Sequence, residues 1–378
     1  MDINPVKKIP TFKSGNFIFS WKYSLNEIIV LLVEAEVAYK TLKDLPILPE
    51  WATKLEGDLI RRSIFGTAAL EGNPLQEDEV AEIIDKKQKP GKMKQAEREI
   101  ENLIAVYDFV KKLESSGSAF EITEKVIKEV HAIITGKIDY ASNLPGKYRN
   151  HKVQVGDKDH GGIYTPPKCL PDIEKLMKEF TLWINSDSLK NEDPYIRAGL
   201  AHYYLGLIHP FGDGNGRTAR IIEAILLRTA GIKYVPVMLS NYYYKNMDDY
   251  FRAFSIARKN KEKDTTAFIK FVLQGAVDSL DEIKEGITFH LELLLMRDYC
   301  DFLRKRKSLT QRQFDLIDLL LDNPKSFSLQ DLFNASPFNT LYRNTSERTA
   351  RRDLKKLLEE NLLYLENGKY NLNFQVLG

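Results

Sequence analysis

The sequence has 378 residues, of which 43% are hydrophobic and 29% are charged. That composition is typical of a globular protein with two or three domains, and it excludes disordered and collagen-like classes. The formal net charge of +2, from 55 basic and 53 acidic residues, gives no overall field that would attract nucleic acid or anionic lipid. The two cysteines, Cys169 and Cys300, lie far apart and lack the spacing of a disulfide framework or a zinc ribbon.

No export signal or membrane span is visible in the sequence. Residues 1–10 have no apolar stretch behind their lysines, and the apolar run at residues 28–33 is far shorter than the ~18 residues that a membrane-spanning helix needs. We therefore expect a cytoplasmic protein that has no membrane partner.

Most of the chain has apolar residues at intervals of three and four, which predicts a mainly α-helical fold. The first region, residues 1–115, is predicted to contain helices near residues 25–42, 55–70 and 93–113. The run Ser115-Ser-Gly-Ser118 then predicts a loop. We place a domain boundary at this loop.

The second region, residues 116–282, continues the helical pattern. It is interrupted at residues 147–167, where the alternation Val153-Gln-Val155, several glycines and two prolines predict a β-hairpin. A long helix is predicted at residues 281–306. Residues 283–307 are therefore expected to link this region to the last one.

The last region, residues 308–378, has the elements of a winged helix-turn-helix domain. The turn signal Glu366-Asn-Gly368 between two short apolar runs predicts a hairpin wing. The third predicted helix of the region has one apolar face. The predicted helices cover residues 310–321, 328–333 and 347–360, and the predicted strands cover residues 362–365 and 369–372.

The third helix of this region also carries basic residues. A basic helix is typical of proteins that contact the phosphates of DNA. Asp353, Glu359 and Glu360 dilute the charge, however, and many winged helices bind proteins. DNA and protein are therefore both kept as candidate partners. The basic residues of this helix are Arg348, Arg351, Arg352, Lys355 and Lys356, and Arg343 lies just ahead of it.

The most informative stretch lies in the middle of the chain. Asp193-Pro194 predicts a helix start, and Pro210 ends that helix directly after His209. The loop Gly212-Asp-Gly-Asn-Gly216 alternates glycine with polar residues and leads into a second helix, which Gly231 closes. A glycine-rich loop before a helix N-terminus is a suitable cradle for phosphate oxygens.

Four side chains around this loop suit phosphoryl chemistry. His209 is a base near neutral pH, and Asp213 is a ligand for a hard cation. Arg217 and Arg220 lie in the first turn of a helix, where the helix dipole disfavours cations unless an anion lies between them. No Walker motif occurs in the chain, so another scaffold would hold a nucleotide. For His209 alone a buried core histidine is the better interpretation, but for the four residues together it is not.

The run His209-Pro-Phe-Gly-Asp-Gly-Asn-Gly-Arg-Thr-Ala-Arg220 resembles the signature of the Fic (filamentation induced by cAMP) family, His-Pro-Phe-x-Asp/Glu-Gly-Asn-Gly-Arg-x-x-Arg, at every fixed position. The resemblance extends over most of the chain. It implies a helical Fic core with a β-hairpin flap, and a protein adenylyltransferase that moves AMP from ATP to a hydroxyl side chain of a target protein. Because Gly214 and Gly216 are intact, AMP transfer is preferred over transfer of phosphate or phosphocholine.

The resemblance also implies a role for each residue of the loop. His209 would deprotonate the target hydroxyl, and Asp213 would hold Mg²⁺ between the α- and β-phosphates of ATP. Phe211 would anchor the loop in the core. The residues implied in catalysis are His209, Asp213, Asn215, Arg217 and Arg220, and those implied in ATP binding are Phe211, Gly212, Asp213, Gly214, Asn215, Gly216, Arg217, Arg220 and Tyr250.

The hairpin resembles the flap of the family, whose edge pairs with the backbone of the target. The segments that carry this resemblance are Gly146-Lys-Tyr-Arg149 and Tyr164-Thr-Pro-Pro167. On the residues alone, a purely structural hairpin is about equally supported. Tyr250 lies in a segment that resembles the nucleoside lining. His202 is expected to be a buried, hydrogen-bonded histidine, because no second histidine accompanies it at metal-ligand spacing.

Thr67-Ala-Ala-Leu-Glu-Gly72 resembles the inhibitory motif of autoinhibited Fic proteins, Ser/Thr-x-x-x-Glu-Gly/Asn, in the class with an N-terminal inhibitory helix. Gly72 and Pro74 are expected to leave the Glu71 carboxylate in the last helical turn, where the dipole disfavours negative charge. The resemblance implies that Arg220 is its partner. Thr67, Glu71 and Gly72 are therefore predicted to be inhibitory, with a solvated glutamate at a helix end as the alternative.

The sequence thus predicts a nucleotidyltransferase that uses ATP and Mg²⁺ and modifies a Ser, Thr or Tyr side chain of a protein. Two alternatives stay open. One is a DNA-binding transcriptional regulator that works through the winged helix, with a Fic domain that uses another donor. The other is a toxin-like module silenced by a partner antitoxin. A second copy of the chain is also kept as a candidate partner.

Overall fold

The computed structural model describes residues 6–45, 47–85, 94–114, 120–139 and 143–377. The fold is mainly helical, which confirms the predicted fold class. The chain divides into two compact units, residues 1–283 and 284–378. The predicted loop at residues 115–118 lies outside the described residues, and the predicted domain boundary there stays a prediction. Within the described ranges no helix is long and apolar enough to cross a membrane.

The elements of the first unit are two strands and a series of helices, the last of which continues into the second unit. They are β1 (Val6–Pro10), β2 (Asn16–Ser20), α1 (Leu25–Asp44), α2 (Pro49–Ala69), α3 (Glu77–Asp85), α4 (Gln95–Glu114), α5 (Glu124–Ile134), α6 (Leu170–Ile184), α7 (Asp187–Lys190), α8 (Pro194–Ile208), α9 (Asn215–Thr229), α10 (Val235–Lys245), α11 (Met247–Lys259) and α12 (Thr266–Lys305). Helix α12 begins at Thr266, well before the predicted start at residue 281. No proline interrupts the helical pattern between these two positions, so the helix runs through them.

Strands β1 and β2 form an antiparallel hairpin that the sequence pattern does not predict. Its turn is held from far along the chain, because the buried carboxylate of Asp172 accepts hydrogen bonds from the backbone N–H of Phe12 (2.6 Å) and Lys13 (3.0 Å). The Tyr204 hydroxyl accepts from Ser20 N–H (2.7 Å) and donates to the Ser20 carbonyl (3.0 Å). Tertiary contacts thus add to the turn's own hydrogen bonds, such as the one from Thr11 N–H to the Gly15 carbonyl at 2.9 Å.

Helices α8 and α9 pack together in the middle of the first unit. Helix α8 starts as predicted, since the Asp193 side chain accepts from Tyr195 N–H at 2.8 Å and Pro194 occupies the first turn. Almost every residue of α8 and α9 is buried. Helices that are buried on all sides lie in the core of a domain, so the loop between α8 and α9 is held on both sides by rigid structure.

The predicted hairpin at residues 147–167 is less regular than expected. Within the described residues, its two sides pair through a single isolated β-bridge between Val155 and Tyr164, with backbone hydrogen bonds of 3.0 and 2.9 Å. Gly156 and Gly161 have φ values of 95° and 99°, so the segment turns instead of continuing as strands. The Tyr164 hydroxyl fastens it to the Gly206 carbonyl of α8 at 2.7 Å. We call residues 149–167 the flap.

The second unit contains the C-terminal part of α12 and its own apolar core. Its elements are α13 (Gln311–Asp322), α14 (Asp331–Asn334), α15 (Asn339–Tyr342), α16 (Glu347–Glu359), an antiparallel hairpin of β3 (Leu363–Glu366) with β4 (Lys369–Leu372), and a 3₁₀ helix at Phe374–Leu377. The short helix α15 was not predicted. The assignment of this unit as a winged helix stays a prediction.

Several basic residues of α16 pair with acidic residues of the same helix or its end. Arg351 contacts Glu347 at 2.5 Å, Lys355 lies 3.8 Å from Glu359, and Lys356 contacts Glu360 at 2.5 Å. These pairs neutralise part of the basic face. The positions of these charges do not support DNA binding by this unit, which therefore stays a prediction.

A buried carboxylate joins the helices of the second unit. Asp353 of α16 is 1% exposed, and it accepts hydrogen bonds from Arg312 Nε at 2.7 Å and from Gln313 Nε2 at 3.2 Å. Both donors lie at the start of α13, which a Thr310 capping box begins. One side chain therefore fixes α13 against α16.

We expect Asp353→Ala to destabilise the second unit by about 3 kcal/mol, because it leaves two donors without their shared acceptor. Urea unfolding of the full chain measures the loss. Glu347→Ala, which removes an exposed pair on the same helix, should cost only a small fraction of that amount. Equal losses from the two variants would contradict a structural role for the buried carboxylate.

Candidate active site

His209 is placed by the end of helix α8. The helix ends at Ile208, and His209 has φ 48° and ψ 60°, a left-handed conformation that non-glycine residues rarely adopt. Its N–H donates to the Leu205 carbonyl at 2.9 Å, which closes the last turn, and Pro210 prevents the helix from continuing. The chain changes direction sharply at this residue, and the His209 side chain lines the cavity described below.

The loop after His209 is shaped by two side chains that the sequence analysis assigned to ATP binding. Phe211 is fully buried and stacks on the His131 ring, with ring centroids 3.6 Å apart. The Asn215 side chain accepts from Phe211 N–H and donates to the Phe211 carbonyl, both at 2.9 Å. The side chains of Phe211 and Asn215 therefore bind the loop to itself and to the core.

His131 of α5 is a contributor to the site that the sequence analysis missed. Its Nδ1 accepts from Gly146 N–H at 2.9 Å, so the proton lies on Nε2, which donates to the Asp213 carbonyl at 3.0 Å. Burial lowers the pKa of the His131 imidazole to about 4, which keeps it neutral in this role. A lone histidine at a core position of a helix gives no sequence signal of such a contact.

Two glycines of the loop are required for different reasons. Gly214 has φ 71°, and a Cβ atom there would lie 2.8 Å from Cγ2 of Thr135. Gly216 has ordinary helical geometry, but a Cβ atom there would collide with Oε1 of Glu71. The first glycine permits the turn, and the second leaves room for an oxygen atom at the N-terminus of α9.

The two arginines of α9 are buried and have different surroundings. Arg217 reaches Asp213 Oδ1 at 3.1 Å and lies 3.9 Å from Glu99 of α4. Arg220 donates from Nε to Thr67 Oγ1 at 2.6 Å and from an Nη to Glu71 Oε1 at 2.7 Å. The predicted partner of Glu71 is thus in contact with it. Helix α9 begins at Asn215, so Arg217 lies in its first turn, where the dipole disfavours a cation, but Arg220 lies in the second turn and not in the first as predicted. Carboxylates accompany each of them, two near Arg217 and one at Arg220.

Glu71 lies slightly beyond its predicted position. Helix α2 ends at Ala69, so Glu71 is in the turn that follows the helix and not in its last turn, and Gly72 continues that turn with φ 83°. Burial acts to raise the pKa of the Glu71 carboxyl, but the charges of Arg220 and Arg217 outweigh it, so the pKa lies below its ordinary value. The side chain is therefore an anion that touches Arg220 and the start of α9.

A cavity of about 320 Å³ opens beside these residues. His209, Gly216, Arg220 and Glu71 line one side of it. Aromatic side chains of α11 and parts of the flap line the rest, namely Tyr250, Phe251, Phe254, Val155 and His160. The structure thus brings together the loop, the motif around Glu71 and the flap, which are distant in the sequence.

Tyr250 and His202 form a buried pair at the wall of this cavity. His202 Nε2 lies 3.0 Å from the Tyr250 hydroxyl, and His202 Nδ1 lies 3.2 Å from Glu223 Oε2. His202 is 1% exposed. It is therefore buried and hydrogen-bonded, as the sequence predicts. Tyr250 lines the cavity, but its side chain is mostly buried.

The His209 imidazole is kept neutral by its surroundings. Burial lowers its pKa to about 4, and the positive charge of Arg149 acts in the same direction. Glu71 opposes them. A neutral imidazole at physiological pH can accept a proton, which is the property that a general base needs.

Asp213 is the candidate metal ligand, and its side chain is 40% exposed at the tip of the loop. Its carboxylate accepts from Gly214 N–H and contacts Arg217. Across the described residues, no three His, Cys, Asp or Glu side chains lie close enough together to hold a metal ion by themselves.

Comparisons with known proteins agree with this geometry. The family model described as the Fic/DOC family matches residues 121–227. The chain is 31% identical over 219 residues to a protein of Drosophila ananassae named protein adenylyltransferase Fic, a match that covers 58% of this chain and 40% of that protein. The protein of the same name from Aedes aegypti is 29% identical over 229 residues, or 60% of this chain and 42% of that protein. The chain thus spans about two fifths of the length of these curated relatives.

Solved structures share the fold. A Fic family protein from Desulfovibrio desulfuricans G20 aligns with a TM-score of 0.56 and 21% identity, over 92% of this chain and 96% of that one. Fic-1 from C. elegans aligns with a TM-score of 0.56 and 23% identity, over 68% of this chain and 72% of that one. Residues 121–227, which include the loop, are therefore a Fic domain, which confirms the family resemblance of the sequence for this part of the chain. The helical fold around them is shared with these solved structures.

We expect Thr67→Val to destabilise the first unit by about 1 to 3 kcal/mol, because the buried Nε of Arg220 loses its acceptor while the shape of the side chain is kept. Chemical denaturation measures the change. Thr53→Val, an exposed position on the same helix, is the matched control and should have little effect. A variant of Thr67 as stable as the control would contradict the contact.

Proposed function

We propose that this chain is a protein adenylyltransferase that transfers AMP from ATP to a hydroxyl side chain of a target protein. The observation that carries the proposal is a neutral His209 at the wall of a cavity that Arg220 and the N-terminus of α9 also face. In the reaction, His209 takes the proton of a Ser, Thr or Tyr hydroxyl. The hydroxyl oxygen forms a bond to the α-phosphorus, and the bond from that phosphorus to pyrophosphate breaks.

The start of α9 supplies the site for the phosphates. The first N–H groups of a helix have no acceptor within the helix and carry partial positive charge. Gly216 exposes this end to the cavity, and Arg220 adds a full charge beside it. Because transfer at phosphorus depends mainly on positioning and on neutralising charge, these groups are sufficient to hold ATP in line with an attacking hydroxyl.

Magnesium fits this site as a companion of ATP. Nucleotide-bound Mg²⁺ keeps several waters and takes one or two protein carboxylates in addition to phosphate oxygens. Asp213 offers one partly exposed carboxylate at the mouth of the loop. It would hold the ion, whose contribution is to neutralise phosphate charge.

Glu71 makes the site autoinhibited in this proposal. Its Oε1 contacts Arg220 at 2.7 Å and lies against Gly216, at the place where a phosphate oxygen would be bound by the helix end. Thr67 holds the same guanidinium from the other side through Oγ1. The protein's own carboxylate therefore occupies the anion site, and ATP must displace it to reach a productive position.

We expect His209→Ala to abolish AMP transfer and to leave ATP affinity within a few-fold of the unsubstituted protein, because a general base acts on the acceptor hydroxyl and does not hold phosphate. Transfer of label from α-labelled ATP and equilibrium binding of ATP measure the two effects separately. Transfer at an unchanged rate would contradict the role of His209.

The pH profile of transfer should reflect the lowered pKa of His209. An ordinary histidine would lose half of its base form near pH 6.5, whereas His209 stays neutral down to about pH 4. In the Glu71→Gly variant, kcat/KM should therefore show no inflection near pH 6.5 and should fall only in more acidic solution, as far as the protein stays folded. An acid limb near pH 6.5 would contradict the described environment.

We expect Glu71→Gly to increase self-modification and target labelling at least about tenfold, because it frees Arg220 and the end of α9 for phosphate. Adding His209→Ala should remove the gain. Glu77→Gly, an exposed glutamate at the start of the next helix, is the matched control. Equal labelling by the unsubstituted chain and the Glu71 variant, with both folded, would refute autoinhibition by this residue.

A further inference from the structure

Arg149 is a buried arginine at the base of the flap, and it joins three separate segments. The residue is 3% exposed. Its Nε donates to the His209 carbonyl at 2.8 Å, one Nη donates to the Pro167 carbonyl at 2.8 Å, and the other donates to the His151 carbonyl at 2.5 Å. Its backbone N–H donates to the Pro210 carbonyl at 2.9 Å. One residue therefore ties both ends of the flap to the backbone of His209.

The partners of this guanidinium are unusual for a buried charge. A buried charge is normally paired with an opposite charge. Within the described ranges, no carboxylate lies at ion-pair distance from Arg149, and its hydrogen bonds go to backbone carbonyls. Burial lowers its pKa to about 10, so it stays charged at neutral pH. A leucine or methionine would fill the space without the cost of removing a charge from water. What the guanidinium adds is therefore the fixed direction of its hydrogen bonds.

The carbonyl that Arg149 holds belongs to the residue with the least favourable backbone in the site. His209 has φ 48°, a conformation that costs of order 1 kcal/mol or more for a side chain with a Cβ and persists only where neighbours fix it. The Leu205 carbonyl fixes the N–H side of this residue, and Arg149 fixes its C=O side. The direction of the imidazole follows from that backbone conformation.

We propose that Arg149 is a positioning residue for the transfer reaction, which fixes the backbone of the proposed base His209 relative to the flap that lines the same cavity. The inference rests on the function proposed above. A lysine cannot replace Arg149 in this role, because a guanidinium is planar and directs its N–H groups along fixed directions, whereas an ammonium is a single point of charge.

The same placement gives Arg149 an electrostatic effect on the base. The charged groups that act on the His209 imidazole are Arg149, from the base of the flap, and Glu71, from the turn after α2. The first lowers the pKa of the imidazole and the second raises it. Loss of the Arg149 charge should therefore move the His209 titration toward its ordinary value, which can be measured without any activity.

The test introduces Arg149→Lys and Arg149→Met into the Glu71→Gly variant and measures AMP transfer and ATP binding. We expect kcat to fall about 100-fold in both, as a misplaced catalytic group produces, while the dissociation constant for ATP changes less than about threefold. Arg197→Lys is the matched control. The Nε of Arg197 donates to the Ile184 carbonyl at 3.1 Å, and one Nη donates to the Asn185 side-chain oxygen at 3.2 Å. Arg197 does not line the cavity.

The Arg149 variants can give three different outcomes. A Lys variant that keeps kcat within a few-fold overturns the proposal, because the directed hydrogen bonds are then not needed. Parallel loss of ATP binding, or of the thermal unfolding transition, also overturns it and assigns Arg149 a purely structural role. Loss of kcat with ATP binding and folding retained supports it.

A second measurement separates this proposal from the proposed function. The imidazole pKa of His209, followed by NMR in the Met variant, should rise from about 4 toward the ordinary value of a histidine. If no variant transfers AMP but this titration moves, the proposed reaction fails and the contact of Arg149 with the base stands. An unmoved titration counts against that contact whatever the activity.

Discussion

The left-handed backbone of His209 is the feature on which the rest of the site depends. It ends α8, sends the chain into the glycine-rich loop and turns the imidazole toward the cavity. Such a conformation is disfavoured by itself, so it exists only because the surrounding structure holds it. Pro210 prevents a further helical turn, the buried Phe211 fixes the loop behind it, and Arg149 holds the His209 carbonyl.

A second constraint is the concentration of positive charge at the start of α9. Buried arginines near a helix N-terminus are unfavourable unless anions accompany them. Arg217 is accompanied by Asp213 and Glu99, whereas Arg220 is accompanied by Glu71 and the Thr67 hydroxyl. The same need for an anion accounts for the contact of Glu71 with Arg220 and for the proposed capacity of the site for ATP. In the proposed function, the Glu71 carboxylate and a phosphate compete for one place.

The buried histidines show how position decides chemistry for one residue type. His131 and His209 both have a pKa of about 4, chiefly because both are buried. Both ring nitrogens of His131 form hydrogen bonds with backbone groups, one with Asp213 of the loop and the other with Gly146, which makes it a structural support. His209 faces the cavity, and there the neutral form can accept a proton. The contacts of each ring, and not its pKa, separate the proposed base His209 from the structural support His131.

The sequence by itself determined the helical character, the start and end of α8, the loop from His209 to Arg220 and the resemblance to the Fic family, because capping residues, proline, glycine and the signature act within a short stretch of chain. It also led to the pairing of Glu71 with Arg220, through resemblance to the family. Only the tertiary structure decided which residues hold that loop. Arg149 and His131 act through backbone carbonyls and N–H groups that any residue possesses, so their partners leave no trace in the sequence pattern. The N-terminal hairpin escaped prediction for the same reason, since the carboxylate of Asp172 that holds its turn comes from a distant helix.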